Sequence, residues 1–289
     1  MTSQDSAEVA VKKQVAALIS QIKSIESDES WKTEEETEEQ IQQLLVLSGD
    51  VQRLANVLVS TDRQLAKELL SSYVNATPWF EANYGIDGFY YEHEICSELL
   101  FELGQTLPTE LIPESFDSEK GNFSYCAGLS MNPNLTSDKL GKFMDSANPS
   151  GDVFDEDTVL SYGYGWDEDI VLFVALLLNP NSTYEFVVDS IEQLSGDKVD
   201  WLLGLVTGHP VVWGNSSERT YRLIMDATYS ADALKAIKHC VESNTTGAFN
   251  QICFTDEGAR FVSPKPVLEA IDVRLASKNP RFHSFEIKF

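Results

Sequence analysis

Apolar residues recur at three- and four-residue steps through much of the chain. Val11, Val15, Leu18, Ile19, Ile22 and Ile25 fall on one face of a helix predicted over residues 7–26. Behind it, Glu26 to Gln40 is dominated by Glu34, Glu35, Glu36, Glu38 and Glu39, and Thr37 with Gln40 three residues on reads as a capping box. Carboxylates ahead of and within a first turn suit the positive end of the helix dipole. A second helix is then expected to run to about Ser60 on Ile41, Leu44, Leu45, Val51, Leu54, Val57 and Leu58. Thr61 with Gln64 repeats the capping pattern and opens a third, carrying Leu65, Leu69, Leu70 and Tyr73. Three antiparallel helices on short turns follow from this pattern.

Between Thr77 and Tyr91 the composition shifts: Trp79, Phe80, Tyr84, Phe89, Tyr90 and Tyr91 crowd together with Pro78, Gly85 and Gly88. That marks a boundary or an irregular packed segment, with the aromatics either in the core or at an interface. Glu92 to Leu103 is helical in pattern, and Leu107 to Asn122, with Pro108, Pro113 and Gly121, reads as a linker or binding loop. Further on, Tyr221, Leu223 and Ile224 mark one helix, and Leu234, Ile237 and Val241 another that Ser230 caps. From Gly247 the pattern changes to Phe249, Ile252, Phe254 and Phe282, Phe285, Ile287, Phe289, two short strands around a helix at Pro266 to Ala276. The expected division is 1–76, helical hairpins; 77–129, an aromatic-rich connection; 130–245, a repeat-like helical region; and 246–289, a small mixed subdomain.

The middle of the chain repeats itself. Asn132-Pro133-Asn134-Leu135-Thr136 precedes a helical Leu140, Phe143, Met144 pattern, and Asn179-Pro180-Asn181-Ser182-Thr183 precedes Phe186, Val187, Ile191, Leu194, with the prolines 47 residues apart. Asp167-Glu168-Asp169 leads into Ile170, Leu172, Phe173, Leu176 and Leu177 ahead of the second Asn-Pro. Downstream, Asp197 to Asp200 leads into Trp201, Leu202, Leu205 and Val206 ahead of Gly208-His209-Pro210. An acidic turn starts a helix, Asn-Pro or His-Pro stops it, and Ser or Thr starts the next. Residues 130–210 resemble helical-repeat proteins of the variant leucine-rich and HEAT-like type. The spacings here are irregular, at 47 and then 30 residues, and the arginine such repeats carry after the acidic turn is missing, with Leu172 in that neighbourhood. The resemblance implies an extended or arc-shaped scaffold that binds another macromolecule. The expected fold class is mainly α: antiparallel helical hairpins in an irregular α-solenoid-like scaffold, with a small mixed α/β C-terminal part.

Charge narrows the partners. The chain of 289 residues carries 21 Lys+Arg against 46 Asp+Glu, a formal charge of -25. Residues 1–200 hold 37 acidic and 11 basic side chains, a balance of -26, and residues 201–289 hold 9 and 10, a balance of +1. Such a surface repels nucleic acid and anionic lipid and attracts basic proteins. The polar start of the chain lacks the apolar run of a signal peptide. The longest strongly apolar run, Ile170 to Leu178, has nine residues, about half of a membrane span. Cys96, Cys126, Cys240 and Cys253 show no regular spacing, as expected of reduced thiols in the cytoplasm. Six Asn-x-Ser/Thr triplets, at Asn75, Asn122, Asn134, Asn181, Asn215 and Asn244, are read as chance and turn chemistry.

No motif names a reaction. Tyr162-Gly163-Tyr164-Gly165-Trp166 lacks the third glycine and the Lys-Ser/Thr of a phosphate loop, and no Gly-x-Ser-x-Gly elbow occurs. His93 and Cys96 with His239 and Cys240 have the donor types of a zinc site without its paired spacing, so structural roles are expected of them and no metal or other cofactor is assigned. The acidic clusters at 152–157 and 167–169 lack the alternation and glycine of a calcium loop. The expected function is a non-enzymatic, acidic protein–protein interaction scaffold. In its sharper form it occupies the nucleic-acid-binding surface of a partner enzyme, in the manner of small acidic phage-encoded inhibitors of host defence. The partner-binding residues are expected to be Glu34, Glu35, Glu36, Glu38, Glu39, Asp155, Glu156, Asp157, Asp167, Glu168 and Asp169. The alternatives are a metal-assisted hydrolase on His93, Cys96 and His239, and a self-associating structural subunit of a larger assembly.

Overall fold

The computed structural model describes residues 3–25, 33–83, 88–116, 122–147, 168–193, 220, 223–224, 226–243, 251–255, 258–262 and 265–276. The chain is mainly α-helical. In order come α1 (Ser3–Ile25), α2 (Glu34–Leu58), α3 (Arg63–Asn75), β1 (Trp79–Asn83), β2 (Gly88–Glu92), α4 (Glu94–Thr106), α5 (Phe123–Ser130) and α6 (Ser137–Ser146). They are followed by α7 (Glu168–Leu178), α8 (Tyr184–Glu192), α9 (Ala231–Ser243), β3 (Gln251–Thr255), β4 (Gly258–Val262) and α10 (Lys265–Leu275).

Helices α1, α2 and α3 pack on one another through the stripes that the spacing predicts, with Val15, Ile22, Leu44, Val51, Leu58 and Leu69 all buried. Tyr73 crosses from α3 to donate its hydroxyl to the Leu44 carbonyl at 2.9 Å, which gives a buried phenol its acceptor. The caps differ from expectation. Asp62 caps α3 by accepting from the Leu65 amide at 3.2 Å, in place of Thr61. The segment predicted as a boundary or irregular stretch is an antiparallel hairpin, β1 on β2, with Trp79 opposite Glu92 and Asn83 opposite Gly88. The long connection after α4 is packed where it is described: Leu107, Leu111, Ile112 and Phe116 are buried, and Phe116 meets the Phe143 ring edge-on at 4.3 Å. At the far end β3 pairs antiparallel with β4 and α10 follows. The predicted strand over Phe282 to Phe289, like the predicted helix from Trp201, lies outside the described residues.

One continuous cluster of buried apolar side chains runs from Val15 to Ile271. At its centre lies α7, whose Val171 to Leu178 are buried on every side. A helix apolar all round belongs inside a core. Helices α4 and α5 approach closely where two glycines face backbone. A Cβ on Gly128 would stand 2.1 Å from the Phe101 carbonyl oxygen, and one on Gly104 would stand 2.5 Å from that of Tyr125.

The two Asn-Pro turns are stacked and bonded to each other. Asn132 and Asn179 are fully buried. The Asn132 amide donates to the carbonyls of Gly104 at 2.8 Å and Leu107 at 3.0 Å, and its Oδ1 accepts from the Asn134 N–H at 2.7 Å. One repeat later the Asn179 amide donates to Ser130 at 2.6 Å and Asn132 at 3.0 Å, and its Oδ1 accepts from the Asn181 N–H at 2.8 Å. Asn181 donates to the carbonyls of Pro133 and Leu135, and Asn134 to that of Leu107. A third step follows at Ser230, whose hydroxyl donates to the Ser182 carbonyl at 2.6 Å and whose N–H reaches Leu178. The primary amide suits this place because it accepts within its own turn while donating two hydrogens to the previous one.

Two substitutions test these contacts by urea unfolding of the full chain. Asn179→Asp keeps the acceptor for Asn181 but takes the amide donor from the buried Ser130 carbonyl and sets a carboxylate against it, while the Asn132 carbonyl keeps the Leu135 N–H; it is expected to lose at least about 3 kcal/mol. Gly128→Ala forces α4 and α5 apart and is expected to lose more than about 2 kcal/mol.

Candidate acidic interface

The glutamate run at the start of α2 is part of the helix. Thr33 is the N-cap: its hydroxyl oxygen accepts from the Glu36 N–H at 3.4 Å, while Glu36 Oε2 accepts from the Thr33 N–H at 2.9 Å and the Thr33 hydroxyl at 2.8 Å. This capping box lies four residues earlier than the one expected at Thr37 and Gln40. Those two residues are buried inside the helix, on the face that also carries Ile41 and Leu44. Burial of that face turns Glu34, Glu35, Glu38 and Glu39 outward, and all four are exposed. Among the described residues none of the four has a basic partner within ion-pair distance.

Glu34 and Glu35 occupy the first turn, where the dipole favours them. Glu38 and Glu39 lie beyond it, each four residues from a like charge, a pairing that costs about 0.2–0.5 kcal/mol apiece. Helix starting therefore accounts for part of the run and not for the rest. Glu36 is committed to the cap. Of the other expected interface residues, Glu168 and Asp169 are the first two of α7, and Asp155, Glu156, Asp157 and Asp167 lie outside the described residues. The described structure thus assembles only the run at 34–39. It also presents a stripe outside the expected clusters: Glu185, Asp189 and Glu192 are exposed on α8 at helical spacing. Its i, i+4, i+7 spacing is legible in the sequence, just behind the Thr183 that caps the helix.

Some carboxylates elsewhere are neutralised locally. Lys12 on α1 bridges Glu8 at 3.0 Å and Asp62 at 3.2 Å. The Leu65 N–H first, and Lys12 second, hold the Asp62 carboxyl below its ordinary value. Glu114 contacts Lys142 at 2.7 Å and Lys139 at 3.4 Å, tying the segment after α4 to α6, and these ammonium groups hold its carboxyl down. Lys238 joins α9 to Asp272 on α10.

The residues with zinc-type donors have structural surroundings. His93 is the N-cap of α4, accepting from the Ile95 N–H at 3.3 Å. Cys96 is buried, and burial first, with Cys96 next, raises the Tyr73 phenol above its usual range. His239 lies 4 residues before Ser243, 3.3 Å from its hydroxyl, and its ring is tilted against Tyr184. Burial and Glu192 push the Cys240 thiol up, away from the thiolate that a metal or a nucleophile requires. Among the described residues no group of three or more His, Cys, Asp and Glu side chains is gathered closely enough to hold a metal ion. The asparagines of the Asn-x-Ser/Thr triplets do turn chemistry at three positions: Asn122 caps α5, and Asn134 and Asn181 join the stacked turns. No described helix is long and apolar enough to cross a membrane.

Comparison of the chain with family models, with curated proteins and with solved structures finds no match.

The ion-paired carboxylates give a pH signature. Both Asp62 and Glu114 are depressed in the folded state, so their contribution is present at neutral pH and is lost as the pH falls through their folded values. In a carboxyl-carbon NMR titration their midpoints are expected below about 3.9 and 4.3 respectively, and Lys142→Met is expected to move that of Glu114 upward.

Proposed function

We propose that this chain is a non-enzymatic scaffold that docks an acidic helical face onto a basic surface of another protein. The observation that carries the proposal is the outward row of Glu34, Glu35, Glu38 and Glu39 on two successive turns of α2, held in unfavourable like-charge pairs. A partner's cations relieve that repulsion on binding, so a feature that costs stability in the free chain becomes affinity in the complex. The acidic stripe of α8 extends the same chemistry to a second helix. Asp155, Glu156, Asp157, Asp167, Glu168 and Asp169 belong to the proposed surface by their charge.

The scaffold is read as an irregular α-solenoid-like stack of hairpins, α5 with α6 and α7 with α8, closed by a small mixed α/β C-terminal part. Support comes from the turn-to-turn hydrogen bonds at steps of 47 and 48 residues, from Asn132 to Asn179 and from Ser182 to Ser230. Stacked hairpins of this kind display successive helices along one surface, the usual platform for a macromolecular partner. In the sharper form of the proposal the partner is a nucleic-acid-handling enzyme, such as one of host defence, whose phosphate-binding groove the carboxylates occupy.

Affinity capture from host lysate at low and high salt tests this function. The native chain is expected to retain a basic protein at low salt and release it at high salt. The variant Glu34→Gln, Glu35→Gln, Glu38→Gln, Glu39→Gln is expected to associate with that protein at least about tenfold more slowly. Equal capture by the two chains would sink the charge-docking proposal.

A further inference from the structure

We infer that α2 is built with two starts, the one at Thr33 and a second at Thr37, and that its first turn winds and unwinds between them. The first start is the capping box of Thr33 and Glu36. The second is prepared in the side chains. Thr37 and Gln40 stand at the spacing of a capping box, in which the hydroxyl oxygen of the first residue accepts from the N–H of the second and the side-chain oxygen of the second accepts from the N–H of the first. Those two oxygens, Thr37 Oγ1 and Gln40 Oε1, are buried and have no hydrogen-bond partner among the described residues. The donors they need are held by the helix. The Thr37 N–H is bonded to the Thr33 carbonyl at 3.0 Å, and the Gln40 N–H belongs to the ladder one turn above Glu36. Unwinding residues 34–36 frees both N–H groups, and turning Thr37 into the extended backbone of an N-cap brings each to the oxygen that lacks one. A buried cost of the longer helix is thereby removed in the shorter.

Little opposes the exchange elsewhere. Thr33, Glu34, Glu35 and Glu36 are all exposed, so their release uncovers little of the core. The shorter helix still carries two carboxylates, Glu38 and Glu39, in its first turn, where the dipole favours them. It also parts Glu34 from Glu38 and Glu35 from Glu39, the like charges four residues apart. On the other side stand the bonds between Thr33 and Glu36, one turn of helix and the burial of Thr37. These keep the longer helix as the major form and leave the shorter as its minor state. One consequence rests on the docking function proposed above. Only the longer helix holds all four glutamates in one row, so a partner's cations select it and ordering of the first turn becomes part of binding.

Hydrogen exchange of the α2 amides in the full chain, read by NMR and corrected for the rates of an unstructured chain, tests the two starts. No partner enters, so loss of the docking function would leave the result standing. In the shorter helix the box bonds the Thr37 and Gln40 N–H groups, while those of Glu38 and Glu39 face water. Protection at Glu38 and Glu39 is therefore expected to lie at least about tenfold below that at Thr37 and Gln40. A helix that only frays from its end gives the opposite order, with Thr37 protected least. Thr37→Val, which keeps the shape and removes the hydroxyl, is expected to abolish the dip. Thr33→Ala, which weakens the first start, is expected to deepen it at least about threefold. Protection that rises steadily from residue 37 to residue 40 in the native chain overturns the proposal. So does a dip that survives Thr37→Val or one that Thr33→Ala leaves unchanged. Should a variant fail to fold, the order of protection in the native chain decides by itself.

Discussion

The backbone carbonyls at the ends of buried helices are the constraint on which the middle of this molecule depends. Packing α5 and α7 into the core carries their last turns away from water, where each unpaired carbonyl is a standing cost. The chain answers with asparagine. Asn132 satisfies the end of α4, Asn179 satisfies the end of α5, and Ser230 reaches back to the turn that follows α7. The hairpins are then spaced by hydrogen bonds of fixed length. The glycine contact between α4 and α5 is consistent with that spacing, since a side chain at Gly128 would hold apart two helices that the Asn132 bonds to Gly104 and Leu107 draw together.

Much of this was legible from residue order. The spacing of Val15, Leu18, Ile22 and Ile25 marks α1, and the repeated Asn-Pro-Asn marks the two turns. What residue order does not show is that these turns are bonded to each other, because that partnership spans 47 residues and depends on how the hairpins stack. The start of α2 shows a different kind of ambiguity. Thr33 with Glu36 and Thr37 with Gln40 both satisfy the capping pattern, and local rules rank them equally. Tertiary packing decides between them, since Thr37 and Gln40 share a helical face with Ile41 and Leu44 and must go inside. The β1–β2 hairpin escaped notice because Trp79-Phe80-Glu81-Ala82-Asn83 lacks strict alternation.

The acidic face follows from the same decision. Once the helix begins at Glu34, burial of Thr37, Gln40 and Ile41 leaves the glutamates no direction but outward. Charge on this part of the surface is thus a product of which face of α2 is buried. The run at 34–39 joins the capping of a helix to the display of carboxylates, with Glu36 serving the first task and its neighbours the second.

The described row of turns also has a direction. Each amide points toward the hairpin before it, so the row has a donor side and an acceptor side. At the first turn Leu107-Pro108-Thr109 offers carbonyls but carries no side-chain amide. Among the described turns the side-chain amide bonds therefore run one way, from Asn179 and Asn181 back to the turn at Asn132, and from Asn132 and Asn134 back to Leu107.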